Sequence, residues 1–148
     1  MKIKDKQNYS IRSIKLDDYK ELEKWWKLYE LQGIFIPSKS KLPNNGLGGF
    51  VVEKGGRLIA SAFLYLTNST LGYVDYLIAD PAYREDDRQQ VLLDLASRVT
   101  SVAIENGCEA VWAYTCNQKL VDMASESKAF KILPQDYKVV YTYDKIKD

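Results

Sequence analysis

The residues best suited to chemistry lie in one stretch of the sequence, residues 73–93. An apolar strand there is followed by the turn Pro81-Ala82-Tyr83-Arg84, by three consecutive acids and Arg88, and by a helix expected to open at Gln89. A strand-to-helix junction presents free backbone N–H groups and the positive end of the helix dipole, so such junctions often hold phosphates. The stretch therefore predicts an anion site in which Arg84 and Arg88 supply the positive side chains.

The acids of the same loop have two interpretations. Asp86 and Asp87 in the first turn of a helix would satisfy its free N–H groups and its dipole, so that a carboxylate of the protein takes the place of a phosphate. If a phosphate does bind, Glu85, Asp86 and Asp87 lie close to it. One like-charge pair at roughly 6 Å then costs about 2–3 kcal/mol before screening, at an effective dielectric of about 20. That cost corresponds to roughly tens- to hundredfold in affinity.

Length and composition limit what surrounds this stretch. The chain has 148 residues, of which 46% are hydrophobic, and this predicts a single domain over residues 1–148 with a core of its own. Its formal net charge of +1 does not favour binding to nucleic acid or to a membrane surface. The sequence shows neither a signal-peptide pattern nor a run of about 18 apolar residues, so we expect a soluble, cytoplasmic protein.

Histidine and cysteine usage excludes several classes of site. The chain has no histidine, which removes Cys-His and Ser-His catalysis and most zinc sites, and we expect no metal site. Its two cysteines, Cys108 and Cys116, flank a predicted strand and would lie about 20 Å apart, which is too far for a disulfide.

The first half of the chain predicts a strand, a helix and a β-hairpin. Residues 9–14 predict a strand, and in the helix that follows Asp18 and Glu21 have the spacing of a capping box. Trp25 and Trp26 fall on an aromatic face of this helix, which indicates a position in the core or in the wall of a substrate groove. The Gly55-Gly56 pair between two apolar runs predicts a hairpin, because two glycines supply the positive φ angles of a tight turn.

The second half predicts a right-handed βαβ unit. The strand near Tyr73 is followed by a helix with an apolar stripe, which ends at Asn106-Gly107. An apolar run at residues 110–115 follows and is interpreted as a buried strand parallel to the strand near Tyr73. Aromatic residues alternate again at residues 137–143, which predicts a last strand.

The strand-to-helix junction resembles the coenzyme A-binding motif of the GNAT superfamily, the acyl-CoA-dependent N-acyltransferases. The family's pattern is a strand, then Val-x-Pro-x-Tyr-Arg, a glycine-rich turn and a helix with paired leucines. This chain has Ala79-Asp80-Pro81-Ala82-Tyr83-Arg84 and Leu92-Leu93 in the corresponding places. At the two positions where glycines let the backbone wrap the pyrophosphate, it has Asp87 and Gln89. By the family's standard the pyrophosphate loop is degenerate.

A second stretch is similar to another motif of the same family. Asn117 matches an Asn that follows the fifth strand and opens a helix, and Ala129-Phe130 stands one residue beyond the place of the family's Gly-Phe. The resemblance covers residues 11–144. It implies an α/β (α+β) fold with a mixed, mostly antiparallel sheet of about six or seven strands, helices on both faces, and a split between strands four and five.

The resemblance also implies a function, an N-acetyltransferase that moves an acetyl group from acetyl-CoA to a small-molecule or protein amine by direct attack. Eight residues would line the cofactor: Leu77, Ile78, Ala79, Arg84, Asp87, Arg88, Gln89 and Asn117. The alternative is a domain of the same fold with weak or lost coenzyme A binding, which acts as a non-catalytic binding or structural module. The acceptor, the acyl chain length and the oligomeric state, a homodimer included, stay open.

Two residues are implied as catalytic. Asp75 lies six positions before Pro81, where some family members carry a Glu that deprotonates the amine. A carboxylate does this work if burial raises its pKa, and the short Asp would act through a water; the competing interpretation is a buried Asp satisfied by tyrosine hydroxyls. Ser125 is the nearest hydroxyl in the helix where many members carry a Tyr that protonates the leaving thiolate, and is otherwise an ordinary helix surface residue.

Overall fold

The computed structural model describes residues 8–34, 36–115, 117–127 and 130–133. Within these ranges the chain forms five strands and three α-helices, joined in part by short 3-10 turns. In chain order the elements are β1 (Ser10–Ser13), α1 (Tyr19–Glu30), β2 (Gly49–Lys54), β3 (Arg57–Leu66), β4 (Leu71–Ala79), α2 (Arg88–Glu105), β5 (Ala110–Ala113) and α3 (Gln118–Glu126).

The five described strands form one sheet in the order β1-β2-β3-β4-β5. The pairs β1–β2, β2–β3 and β3–β4 are antiparallel, whereas β5 pairs with β4 in parallel. This mixed, mostly antiparallel sheet confirms the predicted fold class, with five strands in the described ranges against the expected six or seven. The last predicted strand, at residues 137–143, lies outside the described residues.

Two local sequence patterns account for most of this topology. The turn between β2 and β3 is Gly55-Gly56, with φ angles of 56° and 78°, which glycine adopts without strain. The α2 helix then crosses from β4 to β5 and is followed by Gly107, whose φ of 91° suits the end of a helix. The predicted hairpin and the predicted βαβ unit are both confirmed.

Helices cover both faces of the sheet. On one face α2 packs against β3 and β4, and α3 packs against α2, with Leu95, Val99 and Leu120 among the buried residues. On the other face α1 contributes Trp25 and Trp26, whose side chains are 2% and 7% exposed. The predicted core position of the two tryptophans is confirmed.

The predicted capping box at the start of α1 is wrong. Asp18 has helical dihedral angles (φ −66°, ψ −25°), and its side chain does not cap α1. A 3-10 turn precedes α1, and the Asp18 carboxylate accepts from the Lys15 N–H at 2.7 Å and pairs with Arg12 at 2.8 Å. The helical backbone therefore begins one turn earlier than the spacing of Asp18 and Glu21 indicates.

The strand β5 is not the buried strand that the sequence predicts. Ala110, Trp112 and Ala113 are exposed, and Val111 is half-buried. Within the described part of the chain β5 has β4 as its one neighbour, so it forms an edge of the sheet. An apolar run indicates a fully buried strand only where both faces and both edges are covered.

The remaining predictions concern cysteines, metals and membranes. Cys108 is a buried free thiol, and Cys116 lies outside the described residues. Among the residues that the structure describes, no cluster of metal-ligating side chains occurs. No helix in the same ranges is long and apolar enough to cross a membrane.

Candidate active site

The parallel strands β4 and β5 separate partway along β4. They pair from Leu71 with Ala110 to Val74 with Ala113, where β5 ends. β4 continues to Ala79 and keeps its pairing with β3. A cleft therefore borders the far half of β4, at the position of the predicted split between strands four and five.

A β-bulge shapes the part of β4 that borders this cleft. The register with β3 shifts between Ser61 and Phe63, where β4 carries one extra residue. Tyr76, inside the bulge, has a φ of 51°, which few residues other than glycine adopt. Such backbone outliers tend to occur at functional sites.

The backbone N–H groups at the end of β4 point alternately to β3 and to the cleft. The Asp80 N–H donates to the Ile59 carbonyl of β3 at 2.9 Å. Because N–H directions alternate along a strand, the N–H of Ile78 also points to β3, and those of Leu77 and Ala79 point to the cleft. Of the three predicted β4 residues, Leu77 and Ala79 thus present backbone donors to a ligand.

Asp75 lies where the two strands separate. It is opposite Phe63 on β3, and therefore on the face of the sheet that α1 covers. Its Oδ1 accepts from the Tyr76 N–H at 2.8 Å, and its Oδ2 has no hydrogen-bond partner among the described residues. Burial raises the pKa of the Asp75 carboxyl above its usual value, against the lowering effect of that hydrogen bond. Its described partner is a backbone group rather than a tyrosine hydroxyl.

A charged cluster fills the loop before α2, and Lys54, the last residue of β2, lies at its centre. The Lys54 Nζ is 2.7 Å from the Glu85 carboxylate and 3.2 Å from that of Asp87, and it donates to the Tyr83 hydroxyl at 2.8 Å. The Tyr83 hydroxyl donates to Asp87 at 2.5 Å. Hydrogen bonds from Lys54 and Tyr83 lower the pKa of Glu85. For Asp87, burial raises the pKa, but hydrogen bonds from Tyr83 and Lys54 outweigh it, so the pKa falls.

The self-capping interpretation does not hold for Asp87. It is the N-cap residue of α2, but its side chain makes no capping hydrogen bond to the described residues, because it is directed to Tyr83 and Lys54. The N–H groups of Gln89 and Gln90 have no acceptor in the described part of the chain, so they are available to an anion. Beside them, Glu85, Asp86 and Asp87 line a shallow, wide-open surface depression of about 410 Å³.

The two loop arginines differ in what they contact. The Arg88 guanidinium donates to the carbonyls of Asp80 and Tyr83, both at 2.6 Å, and lies 3.3 Å from the Tyr29 hydroxyl. Arg88 therefore fixes the shape of the loop. Arg84 is exposed and forms no ion pair with a described residue, which leaves its charge for a ligand.

The structure brings two of the predicted cofactor residues together. Asn117 is the N-cap residue of α3, and its Oδ1 accepts from the Leu120 N–H at 3.2 Å. Its Nδ2 donates to Gln89 Oε1 at 3.4 Å. This contact joins the N-terminal ends of α2 and α3.

Ser125 does not join this group. It is exposed on α3, and its hydroxyl donates to the Asp122 carbonyl at 2.8 Å. A serine bonded to a carbonyl of the preceding turn is common on helix surfaces. Nothing in this geometry directs its proton toward the cleft.

The sequence matches no protein-family model and no curated protein. Its fold does match solved structures. The N-acetylglutamate synthase from Neisseria gonorrhoeae, complexed with coenzyme A and N-acetyl-glutamate, has a TM-score of 0.67 at 19% identity, over 80% of this chain and 28% of that one. The ribosomal-protein-alanine N-acetyltransferase from Brucella melitensis biovar Abortus 2308 has a TM-score of 0.62 at 13% identity, over 90% and 99%. An aminoglycoside acetyltransferase from an uncultured soil metagenomic sample has 0.58 at 17%, over 95% and 97%.

The chain has the GNAT fold. The resemblance read from the sequence is thus confirmed at the level of the fold. The chain spans 28% of the synthase's length and nearly all of the other two acetyltransferases. These identities are too low to carry a substrate from any of the three proteins to this one.

Sequence reasoning missed two residues at the candidate site of this GNAT fold. Lys54 reaches the loop from β2, 31 positions before Glu85, and Tyr29 reaches it from α1, donating to the Ala79 carbonyl at 2.7 Å. No short motif connects either residue to the loop. The one available signal was that Lys54 directly precedes the Gly55-Gly56 turn, so the hairpin fixes where it lies.

Proposed function

We propose that this protein is an N-acetyltransferase that passes an acetyl group from acetyl-CoA to an amine by direct attack. One observation carries the proposal. β4 leaves β5 after Val74 and continues to Ala79, so that the N–H groups of Leu77 and Ala79 face a cleft beside the N-terminal end of α2. Free strand-edge groups pair readily with an extended, amide-containing chain, and N–H groups stabilise a developing oxyanion.

Asp75 is the proposed general base. Acetyl-CoA supplies an activated thioester, whose carbonyl carbon the amine nitrogen attacks; the C–S bond breaks and coenzyme A leaves. The carboxylate of Asp75 takes a proton from the amine, directly or through a water, and the raised pKa caused by burial makes it a better acceptor. Ser125 stays a prediction as the donor of the proton that the thiolate takes up, and solvent is the other source.

We propose that acetyl-CoA binds weakly. Arg84 and the N–H groups of Gln89 and Gln90 favour a pyrophosphate at the start of α2. Glu85, Asp86 and Asp87 oppose it, although Lys54 offsets part of their charge. Asn117, Arg88 and Asp87 would then act on the cofactor chiefly by shaping the loop around it.

The acceptor is an amine in this proposal. An aminoglycoside acetyltransferase and a ribosomal-protein-alanine N-acetyltransferase are among the structures that share the fold, so the fold accommodates both small-molecule and protein acceptors.

The non-catalytic module remains the second candidate function. Two contacts favour it. Arg88 donates to the Asp80 carbonyl, and the Tyr29 hydroxyl donates to the Ala79 carbonyl, so the Arg88 guanidinium and the Ala79 carbonyl are already engaged where a bound coenzyme A would need them.

A thermal-shift titration with acetyl-CoA tests the proposal. Ligand at about 100 times its dissociation constant stabilises the folded state by about 2.7 kcal/mol, which is a melting shift of roughly 5–15 °C for a domain of this size. Millimolar acetyl-CoA is expected to produce part of this shift. The double variant Asp87→Gly, Gln89→Gly restores the family's glycines and should enlarge it. If neither protein responds, the acyltransferase proposal gives way to the non-catalytic module.

A further inference from the structure

An aromatic row crosses the sheet next to Asp75. Tyr65 on β3 is opposite Tyr73 on β4, and Tyr73 is opposite Trp112 on β5, so that three rings from neighbouring strands share one face. The Tyr73 and Trp112 ring centroids are 6.4 Å apart, with planes at 74°. Tyr114 extends the row, because its ring stacks on Tyr73 at 6.2 Å with planes at 24°.

Asp75 is the carboxylate beside this row. Tyr73 and Asp75 are two residues apart on β4, which places both on the same face at a separation of about 6.6 Å along the strand. Phe63 lies opposite Asp75 on β3. On the other side, Tyr114 follows directly after the point where β5 ends its pairing with β4. Asp75 therefore has Phe63 opposite it and Tyr73 beside it on the same face, and the Tyr114 ring stacks on Tyr73.

The rings at the β5 end are not part of the core. Trp112 is 43% exposed and Tyr114 is 47% exposed, whereas Phe63 is fully buried under α1. Neither Tyr73 nor Trp112 belongs to one of the two buried clusters. An accessible aromatic surface thus leads to a carboxylate whose Oδ2 has no described hydrogen-bond partner.

We propose that this face is the acceptor site of the acetyltransferase and that its acceptor class is an arylalkylamine, a protonated primary amine joined to an aromatic ring by a short aliphatic linker. The inference rests on the proposed function. Charge complementarity selects the amine, because the Asp75 Oδ2, which has no described hydrogen-bond partner, attracts a cation. The rings select the other end of the molecule through stacking and edge-to-face contacts.

The spacing limits the length of the linker. When the ligand's ring lies against Tyr73 and Trp112, its amine must extend about 6.6 Å to reach Asp75. A linker of about two to three carbons, together with the amine nitrogen, spans this distance. The amine then lies at the opening of the cleft, where Leu77 and Ala79 present the N–H groups assigned to the thioester. Binding of this class therefore places the nucleophile beside the donor rather than elsewhere on the sheet.

Calorimetric titration of the full chain with 2-phenylethylamine, in the presence of saturating coenzyme A, tests the inference. Two matched probes separate the determinants: 2-phenylethanol keeps the ring without the cation, and propylamine keeps the cation without the ring. We expect 2-phenylethylamine to bind at least about tenfold more tightly than either probe. Equal binding of propylamine and 2-phenylethylamine would overturn the inference and leave the proposed function intact.

Variants locate the binding surface. Trp112→Ala should weaken 2-phenylethylamine binding about tenfold and Trp112→Phe, which keeps a ring, much less. Ile104→Ala, at an exposed position on α2, is the control and should leave 2-phenylethylamine binding unchanged.

Coenzyme A is titrated separately without amine. If coenzyme A fails to bind while 2-phenylethylamine still binds and depends on Trp112, the proposed acetyltransferase is overturned and the amine site stands. Amine binding that Trp112→Ala leaves unchanged would refute the site.

Discussion

Removing the charge of Asp87 tests whether the loop acids weaken coenzyme A binding. Asp87→Asn keeps the size of the side chain and an oxygen that can accept from Tyr83, so the hydrogen-bonded cluster around Lys54 loses one negative charge and little of its geometry. The perturbation is therefore electrostatic. The expected result is tighter binding of coenzyme A.

The magnitude follows from Coulomb's law. One carboxylate and one phosphate charge about 6 Å apart in an effective dielectric of about 20 repel by about 3 kcal/mol. At 0.15 M salt the Debye length is about 8 Å, which reduces the repulsion to about 1.3 kcal/mol. That corresponds to about tenfold in affinity. In 1 M salt, with a Debye length of about 3 Å, the same pair contributes about 0.4 kcal/mol and the gain falls to about twofold.

The assay is isothermal titration calorimetry with coenzyme A at both salt concentrations. Glu105→Gln is the matched control, because it removes one negative charge from the last residue of α2, about 27 Å away by the rise of an 18-residue helix. It should leave the affinity unchanged. A gain of the same size in both variants, or a gain that persists in 1 M salt, would refute the electrostatic explanation. Weaker binding by Asp87→Asn would show that Asp87 helps to hold the ligand.

Two further substitutions test the cleft. Asp75→Asn should lower turnover about 10²-fold with coenzyme A affinity unchanged. Because burial raises the pKa of the Asp75 carboxyl above its usual value of 3.8, the folded state loses stability as the pH rises from that value to the folded pKa, and the full loss persists at higher pH. The variant should thus melt higher at neutral pH, with no gain below pH 3.8; unchanged turnover would remove Asp75 from catalysis. Tyr29→Phe removes a hydroxyl that donates to the Ala79 carbonyl, and should lower stability by about 1 kcal/mol while tightening coenzyme A binding. Weaker binding would mean that the hydroxyl contacts the ligand.

The parts of the fold that local sequence determines were predictable. Gly55-Gly56 places the β2–β3 turn because of its positive φ angles, and the periodic stripe of α2 between two apolar runs yields the parallel βαβ unit. Both signals are contained in a few tens of residues. The resemblance at residues 79–93 added the position of the split, since it specified which strands separate.

The contacts of the candidate site were harder to predict, because they join residues that are distant in sequence. Lys54 and Asp87 are 33 positions apart, and Arg88 and Tyr29 are 59. The sequence placed Asp87 at the helix N-terminus correctly, and one of its two interpretations had the carboxylate cap the helix. The actual partners, Lys54 and Tyr83, could not be predicted, because Lys54 comes close to the loop only when β2 pairs with β3. The exposure of β5 was missed for a related reason, since burial depends on how many neighbours a strand has.

The loop before α2 illustrates a conflict between stability and ligand binding. In a glycine-rich loop, the N–H groups are satisfied when a phosphate binds, and the ligand orders the backbone. Here Lys54, Tyr83, Glu85 and Asp87 hold one another in place, and Arg88 satisfies two carbonyls, so the loop is ordered by its own side chains. An ordered loop costs a ligand less conformational entropy, but these acids repel its phosphates. Affinity for coenzyme A therefore depends on whether pre-organisation or charge repulsion is larger. The salt dependence of the difference between the native chain and Asp87→Asn separates the two, because both proteins share the other charges and pre-organisation is not screened.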